Sequence, residues 1–420
     1  MPARFGRLVP VVALLLTAGC GGAAAPRAGA PSTPPVPPPT ASIPVTTAPV
    51  LSTTAPVSAS TTTPPVTTPP VSTPVSCVDT LLASLNPHQR AAQLVMVGVP
   101  AGDPAAGVDL VSRGGVGGVF LRGRSAAPLR SVAAGVAALQ RAATAAGGVP
   151  LHVSADQEGG QVQTLSGTGM PLIPAALAQG RLSTTELAEQ TRAWGAALRS
   201  AGVTINLGPV ADVVPAGTAS DNPPIGAVDR AYGSTPDGVA AAVQTVVGAA
   251  ASVGLLSTVK HFPGLGRVTA NPDTSTRAVD PVASPTDPAL APFAAAIGAG
   301  AAAVMISSAG YPNLDPDNLA VFSPAIITGL LRTQLGFTGV VSSDDLGAAT
   351  AVAAVAPGQR AVRFVEAGGD VVLTIRESDV AEMTAELARA AAGSSAFRAH
   401  LDASVARVLA SKVAAGLVRC

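Results

Sequence analysis

From about residue 90 onward, short apolar runs alternate with alanine-rich stretches of helical period. The runs at 93–97, 117–121, 150–155, 203–207, 255–259, 303–307, 339–342 and 370–374 are apolar at nearly every position. That is the pattern of strands buried on both faces. Between them apolar residues recur at helical spacing, as at 184–201 and 238–252. Buried strands alternating with helices predict a parallel sheet covered on both sides. Eight such units within 77–420 predict a single α/β domain, a TIM-type (β/α)8 barrel, with about forty residues of helix, 379–420, after the last strand.

The first 76 residues follow different rules. Arg4 and Arg7 precede the apolar run 8–16, and Leu16-Thr17-Ala18-Gly19-Cys20 follows, which predicts a signal peptide over 1–19 with a lipobox-like end. Thr17 stands where an aliphatic residue is usual. Cys20 would then be the acylated N-terminus, and several acyl chains anchor far better than one. The expected location is extracytoplasmic, lipid-anchored to the cell membrane. Residues 20–76 are rich in Pro, Thr, Ser, Ala and Val, with no charge between Arg27 and Asp79. Such a segment cannot build a core and predicts an extended tether, with an upper reach of order 170 Å at about 3.1 Å per residue. With Cys20 acylated, Cys77 and Cys420 remain at the two ends of the folded region, and an oxidising compartment predicts a disulfide between them.

Composition removes several functions. The formal net charge is zero, so nothing electrostatic recommends nucleic acid as a partner. No G-x-G-x-x-G or P-loop follows a strand, no G-x-S-x-G elbow occurs, and the four histidines are scattered without metal-ligand spacing. No cofactor and no metal are expected. His152 lies within a predicted strand and reads as a core or supporting residue.

Barrel enzymes carry their chemistry at the C-terminal ends of the strands. There the chain places Asp156-Gln157-Glu158-Gly159-Gly160, then Asn206 through Asp212 leading to Asp229-Arg230, then Lys260-His261-Phe262-Pro263-Gly264, and Ser343-Asp344-Asp345. Each cluster alone has a plain structural reading: Asp156 or Glu158 as a helix cap, Arg230 as a surface charge, Asp344-Asp345 as a helix start. Four polar clusters on one rim point instead to a site. Lys260 is one of only two lysines, with Lys412, in a chain whose other cations are arginine.

Asp156-Gln157-Glu158-Gly159-Gly160-Gln161-Val162, Lys260-His261-Phe262-Pro263-Gly264 and Ser343-Asp344-Asp345-Leu346 resemble the motifs of glycoside hydrolase family 3, and within it the single-barrel β-N-acetylglucosaminidases. The resemblance spans the whole folded region. It implies that Asp344 is the nucleophile of a retaining mechanism and that Asp156, Arg230, Lys260 and His261 grip the hydroxyls of a terminal sugar. Carboxylates and cations around a polyol, with one carboxylate aimed at the anomeric carbon, suit that chemistry. The two-domain β-glucosidases of the family draw their acid/base from a second domain, which favours the N-acetylglucosaminidase branch here. Low aromatic content, one Trp and two Tyr, disfavours a long stacking cleft and favours exo action on one terminal residue. The expected partner is a small carbohydrate carrying a terminal amino sugar, with cell-wall peptidoglycan fragments as its source.

Three positions depart from the family pattern. Thr164 stands where the family has a sugar-contacting arginine and is expected to make a weaker substrate contact, and Leu265 replaces a histidine. The family's Asp-Ser-His acid/base loop becomes Asn271-Pro272-Asp273 when aligned without a gap, whereas a gapped alignment puts Ser275 at the histidine position. Two readings follow: a site without its acid/base, in a slow or sugar-binding lipoprotein, or a site in which Asp273 does the histidine's work. Physical grounds favour the second, because a carboxyl is the usual glycosidase acid/base and Asn271 offers a hydrogen bond without adding a like charge.

Overall fold

The computed structural model describes residues 76–114 and 116–419. The expected signal peptide (1–19), the lipidated Cys20, the tether up to residue 75 and Cys420 lie outside the described residues.

Eight parallel strands close into one barrel: β1 (Val95–Pro100), β2 (Gly118–Arg122), β3 (His152–Ala155), β4 (Ile205–Asn206), β5 (Leu256–Phe262), β6 (Ala303–Ile306), β7 (Val340–Asp345) and β8 (Val371–Thr374). Each pairs with its neighbours in chain order, and β1 closes on β8 through Val95 opposite Val372. All eight predicted strands are present, and their central residues are almost wholly buried. The crossover helices follow their sequence signals. Helix Thr184–Ser200 starts at a capping box between Ser183 and Glu186. Helix Pro236–Ser252 starts with Pro at its first position and buries Val239, Val243, Val246 and Val247 against the sheet side.

Two strands run further than their apolar patterns indicate. β5 continues from residue 259 to Phe262, and β7 from residue 342 to Asp345. Both extensions are bulged. Three steps along β5, Val259 to Phe262, face two along β6, Val304 to Ile306. Three steps along β7, Ser342 to Asp345, face two along β8, Val371 to Leu373. A bulge at a barrel rim re-aims the side chains it carries. Here those side chains are Lys260-His261 on β5 and Ser343-Asp344 on β7. The segment after β3 opens no helix; it folds into a hairpin, Gln157–Gly159 against Val162–Gln163.

The opposite face is closed by helices. Cys77–Ser84 and Pro87–Gln93 pack on the last helix, Ser395–Ala414. Cys77 is disulfide-bonded. His152 opens β3 and is a satisfied core residue, its Nδ1 3.1 Å from Thr204 Oγ1 and its Nε2 2.8 Å from Ser411 Oγ. Among the described residues no helix is long and apolar enough to cross a membrane.

Candidate active site

The C-terminal ends of the strands surround a cavity of about 420 Å³, toward the small end of ligand pockets. Its polar wall carries Asp156, Arg230, Lys260, His261, Asp273, Asp344 and Asp345; Phe120, Leu207, Met305 and Leu373 give apolar surface. The strand positions explain the grouping. Asp156 follows β3, Lys260 and His261 sit on the β5 bulge, and Asp344 sits on the β7 bulge.

Four charges interlock on one side. Lys260 Nζ binds both Asp156 and Glu158, the latter at 2.7 Å. Arg230 takes Glu158 with two parallel bonds, Nε and Nη2 each donating at 2.8 Å, the strong fork geometry of a guanidinium. Burial alone would push Glu158 up, but Arg230 and Lys260 together hold it down at about 2. Burial would likewise lower Lys260 and Arg230, and their carboxylate partners raise both instead. Glu158, Arg230 and Lys260 therefore stay ionised, each buried charge paired. The Glu158 side chain is only 3% exposed and spends its oxygens on the two cations, whereas the Asp156 side chain is 28% exposed and faces the cavity. Glu158 orients the cations, and Asp156 is free to accept hydroxyls.

His261 is fixed from behind. Its Nδ1 lies 2.7 Å from Asp212 Oδ2, and Arg230 Nη2 approaches its Nε2 at 3.4 Å. A carboxylate can only accept, so Nδ1 carries a proton and donates to Asp212. Asp212 also receives the backbone N–H of Leu265 at 2.7 Å. Glu158 and Asp212 are the supporting residues that the sequence motifs contained but did not single out. Nothing in a linear pattern shows that Glu158 meets Arg230 seventy-two positions later.

Opposite this cluster stand two catalytic candidates. Asp344 Oδ1 accepts the N–H of Asp345 at 2.8 Å, leaving the carboxylate in the cavity wall. Asp345 is occupied by backbone donors of Gly347, Ala348 and Ile375. Asp273 reaches the cavity from the loop after β5. Lost hydration and then the Asp344 charge push its carboxyl up to about 6; Asp345 adds to the rise, while His261 and Arg230 pull back. A carboxyl poised there can hold a proton for transfer near neutral pH.

Two expected site residues act differently. Thr164 is buried and is not among the residues lining the cavity: its N–H donates to Asp156 O at 3.0 Å and its carbonyl accepts from Ser125. It shapes the hairpin under Asp156 and makes no wall of its own. Asn271 does not present its amide to the Asp273 carboxyl. Its Oδ1 accepts the Asp273 N–H at 2.9 Å, an Asx turn that sets the loop tip. Ser275 binds the N–H of Arg277 and is absent from the cavity wall, so the ungapped placement of Asp273 is the one that meets the site. Among the described residues no group of three or more His, Cys, Asp or Glu is placed to hold a metal ion.

The chain is similar to known proteins in sequence and in fold. Residues 88–411 match the model of the glycosyl hydrolase family 3 N-terminal domain. A β-hexosaminidase of Xanthomonas campestris pv. campestris is 35% identical over 316 residues, covering 71% of this chain and 88% of that one. The crystal structure of a β-N-acetylhexosaminidase from Beutenbergia cavernae superimposes with a TM-score of 0.77 at 44% identity, over 79% of this chain and 99% of that one. A family 3 β-N-acetylglucosaminidase from Paenibacillus gives a TM-score of 0.70 at 32% identity, over 80% of this chain and 63% of that one. With the barrel, the charged rim and a family match over most of its length, this chain belongs to glycoside hydrolase family 3 and is a glycoside hydrolase.

Proposed function

We propose that the protein is a retaining exo-β-N-acetylglucosaminidase that releases terminal β-linked N-acetylglucosamine from peptidoglycan fragments. The observation that carries this reading is the pairing of Asp344 with Asp273 on one cavity, the second with its carboxyl raised to about 6 beside the first. In the first step Asp344 attacks the anomeric carbon while Asp273 gives its proton to the departing oxygen. In the second step Asp273 takes a proton from water, and the water oxygen displaces Asp344 from the sugar. Asp156, Arg230, Lys260 and His261 hold the sugar hydroxyls throughout. The relatives' names support the N-acetylamino sugar over glucose. The signal-type N-terminus and Cys20 support an extracytoplasmic, lipid-anchored enzyme, and that location supports cell-wall fragments as substrate.

The test compares an aryl β-N-acetylglucosaminide with the β-glucoside, for wild type and Asp344→Asn. The expected result is preference for the acetamido substrate and a loss of roughly a thousandfold or more in the variant. Preference for the β-glucoside would assign the protein to the glucosidase branch. Equal rates for wild type and Asp344→Asn would leave only a glycan-binding lipoprotein.

A further inference from the structure

The loop that presents Asp273 is held at both ends, and one buried side chain outside the cavity wall governs its root. Asn222 lies in the loop between β4 and the helix Pro236–Ser252, the same loop that carries Arg230. It is 2% exposed. Both protons of its amide are used across the barrel rim: Nδ2 donates to Leu265 O at 2.7 Å and to Val268 O at 2.8 Å. Its Oδ1 accepts the N–H of Gly226 at 2.7 Å, four residues before Arg230. The Leu265 backbone is thus held on both sides, its N–H by Asp212 and its carbonyl by Asn222. The chain passes so close here that a Cβ on Gly266 would stand 1.8 Å from Val213 O, so only glycine fits. At the other end, the tip docks on the turn that follows the nucleophile strand. Thr350 N–H donates to Asp273 O at 3.0 Å, and Ala351 N–H donates to Pro272 O at 3.1 Å.

We infer that Asn222 is a positioning residue for proton transfer: it couples the loop that grips the sugar through Arg230 to the loop that delivers the Asp273 proton. The inference rests on Asp273 being the acid/base. The chemistry favours an amide at this position. Two carbonyls must be met by donors while one N–H must be met by an acceptor, and Asn supplies both from one short, planar group. Aspartate has the same shape but turns an acceptor toward two carbonyls, so it repels the root it should hold. A misplacement of about 1 Å at a catalytic group costs on the order of 10²-fold in rate.

The experiment uses two aryl β-N-acetylglucosaminides: a phenyl leaving group, which needs the acid, and a dinitrophenyl leaving group, which does not. Asn222→Asp should lose at least about tenfold in kcat/KM on the phenyl substrate while staying within about threefold on the dinitrophenyl one. Amide exchange at Thr350 and Ala351 should accelerate in the same variant, because the tip undocks when the root is released. Thr350→Pro offers an independent route, since it deletes the donor to Asp273 O at the first position of the turn Thr350–Val352. The preceding residue, Ala349, already has φ −59° and ψ 128°, which a following proline accepts. It should show the same selectivity between leaving groups. Equal losses on both substrates, or wild-type rates in both variants, overturn the inference. Asp273→Asn is run alongside: full activity of that variant on the phenyl substrate would remove the acid/base reading. Exchange at Thr350 and Ala351 would then decide the role of Asn222 alone, unchanged exchange in Asn222→Asp overturning it.

Discussion

At the scale of single residues, the deciding group is the Asp273 carboxyl in the cavity wall. Asp273 loses hydration at the cavity wall and faces Asp344, which together raise it to about 6. In the proposed mechanism the free enzyme needs this group protonated for the first step. Raising pH through about 6 removes the proton, so kcat/KM on a poor leaving group should fall about tenfold per pH unit above that point. In Asp273→Asn, measured on the same phenyl substrate, that limb should vanish; a wild-type profile on this substrate that stays flat from pH 5 to 8 would contradict the assignment. Asp156, Arg230, Lys260, His261, Asp273 and Asp344 were legible because motif residues at strand ends converge on one rim. Glu158 and Asp212 were on those motifs but silent, because their partners arrive from other strands. Asn222 carried no sequence signal at all, since a side-chain amide in a loop acquires meaning only from the two carbonyls opposite it. Thr164 misled for the converse reason: matching a position in a motif does not turn the side chain toward the cavity.

At the scale of elements, continuous apolar runs located all eight strands, because strands buried on both faces leave no polar alternation to confuse them. Their C-terminal limits were less legible. Lys260-His261 and Ser343-Asp344-Asp345 read as the start of loops, yet they remain in β5 and β7. The extra residue in each bulge is counted against the neighbouring strand, so it cannot be seen in one strand's own pattern. The consequence is functional. Each bulge falls where a side chain turns from the sheet into the cavity, and both lie on the strands that bring Asp344 and the Lys260-His261 pair. Similarly, the hairpin after β3 could not be separated from a helix cap by composition, since Asp-Gln-Glu-Gly-Gly suits either.

At the scale of the whole molecule, the barrel carries its chemistry on one face and a buried lysine near the other. Lys412, on the last helix, is fully buried and donates to Gln93 Oε1 at 2.6 Å, with burial lowering it from 10.5 to about 7. The fold therefore holds it neutral in a range where the unfolded chain keeps the proton. Between about pH 7 and 10.5 the unfolded state binds more protons, so this stabilising contribution is lost as pH falls through that window. The melting temperature of Lys412→Met relative to wild type should accordingly be most favourable near pH 7 and decline toward pH 10; a difference independent of pH would refute the neutral lysine. None of this touches the catalytic face, where the central claim rests on Asp273. The most direct test is Asp273→Ala turning over the dinitrophenyl β-N-acetylglucosaminide with added azide. An anion that enters the space of the missing carboxylate should attack the sugar on Asp344, restore turnover and give the β-glycosyl azide. An α-glycosyl azide, or a variant that keeps wild-type rates without azide, would contradict the account.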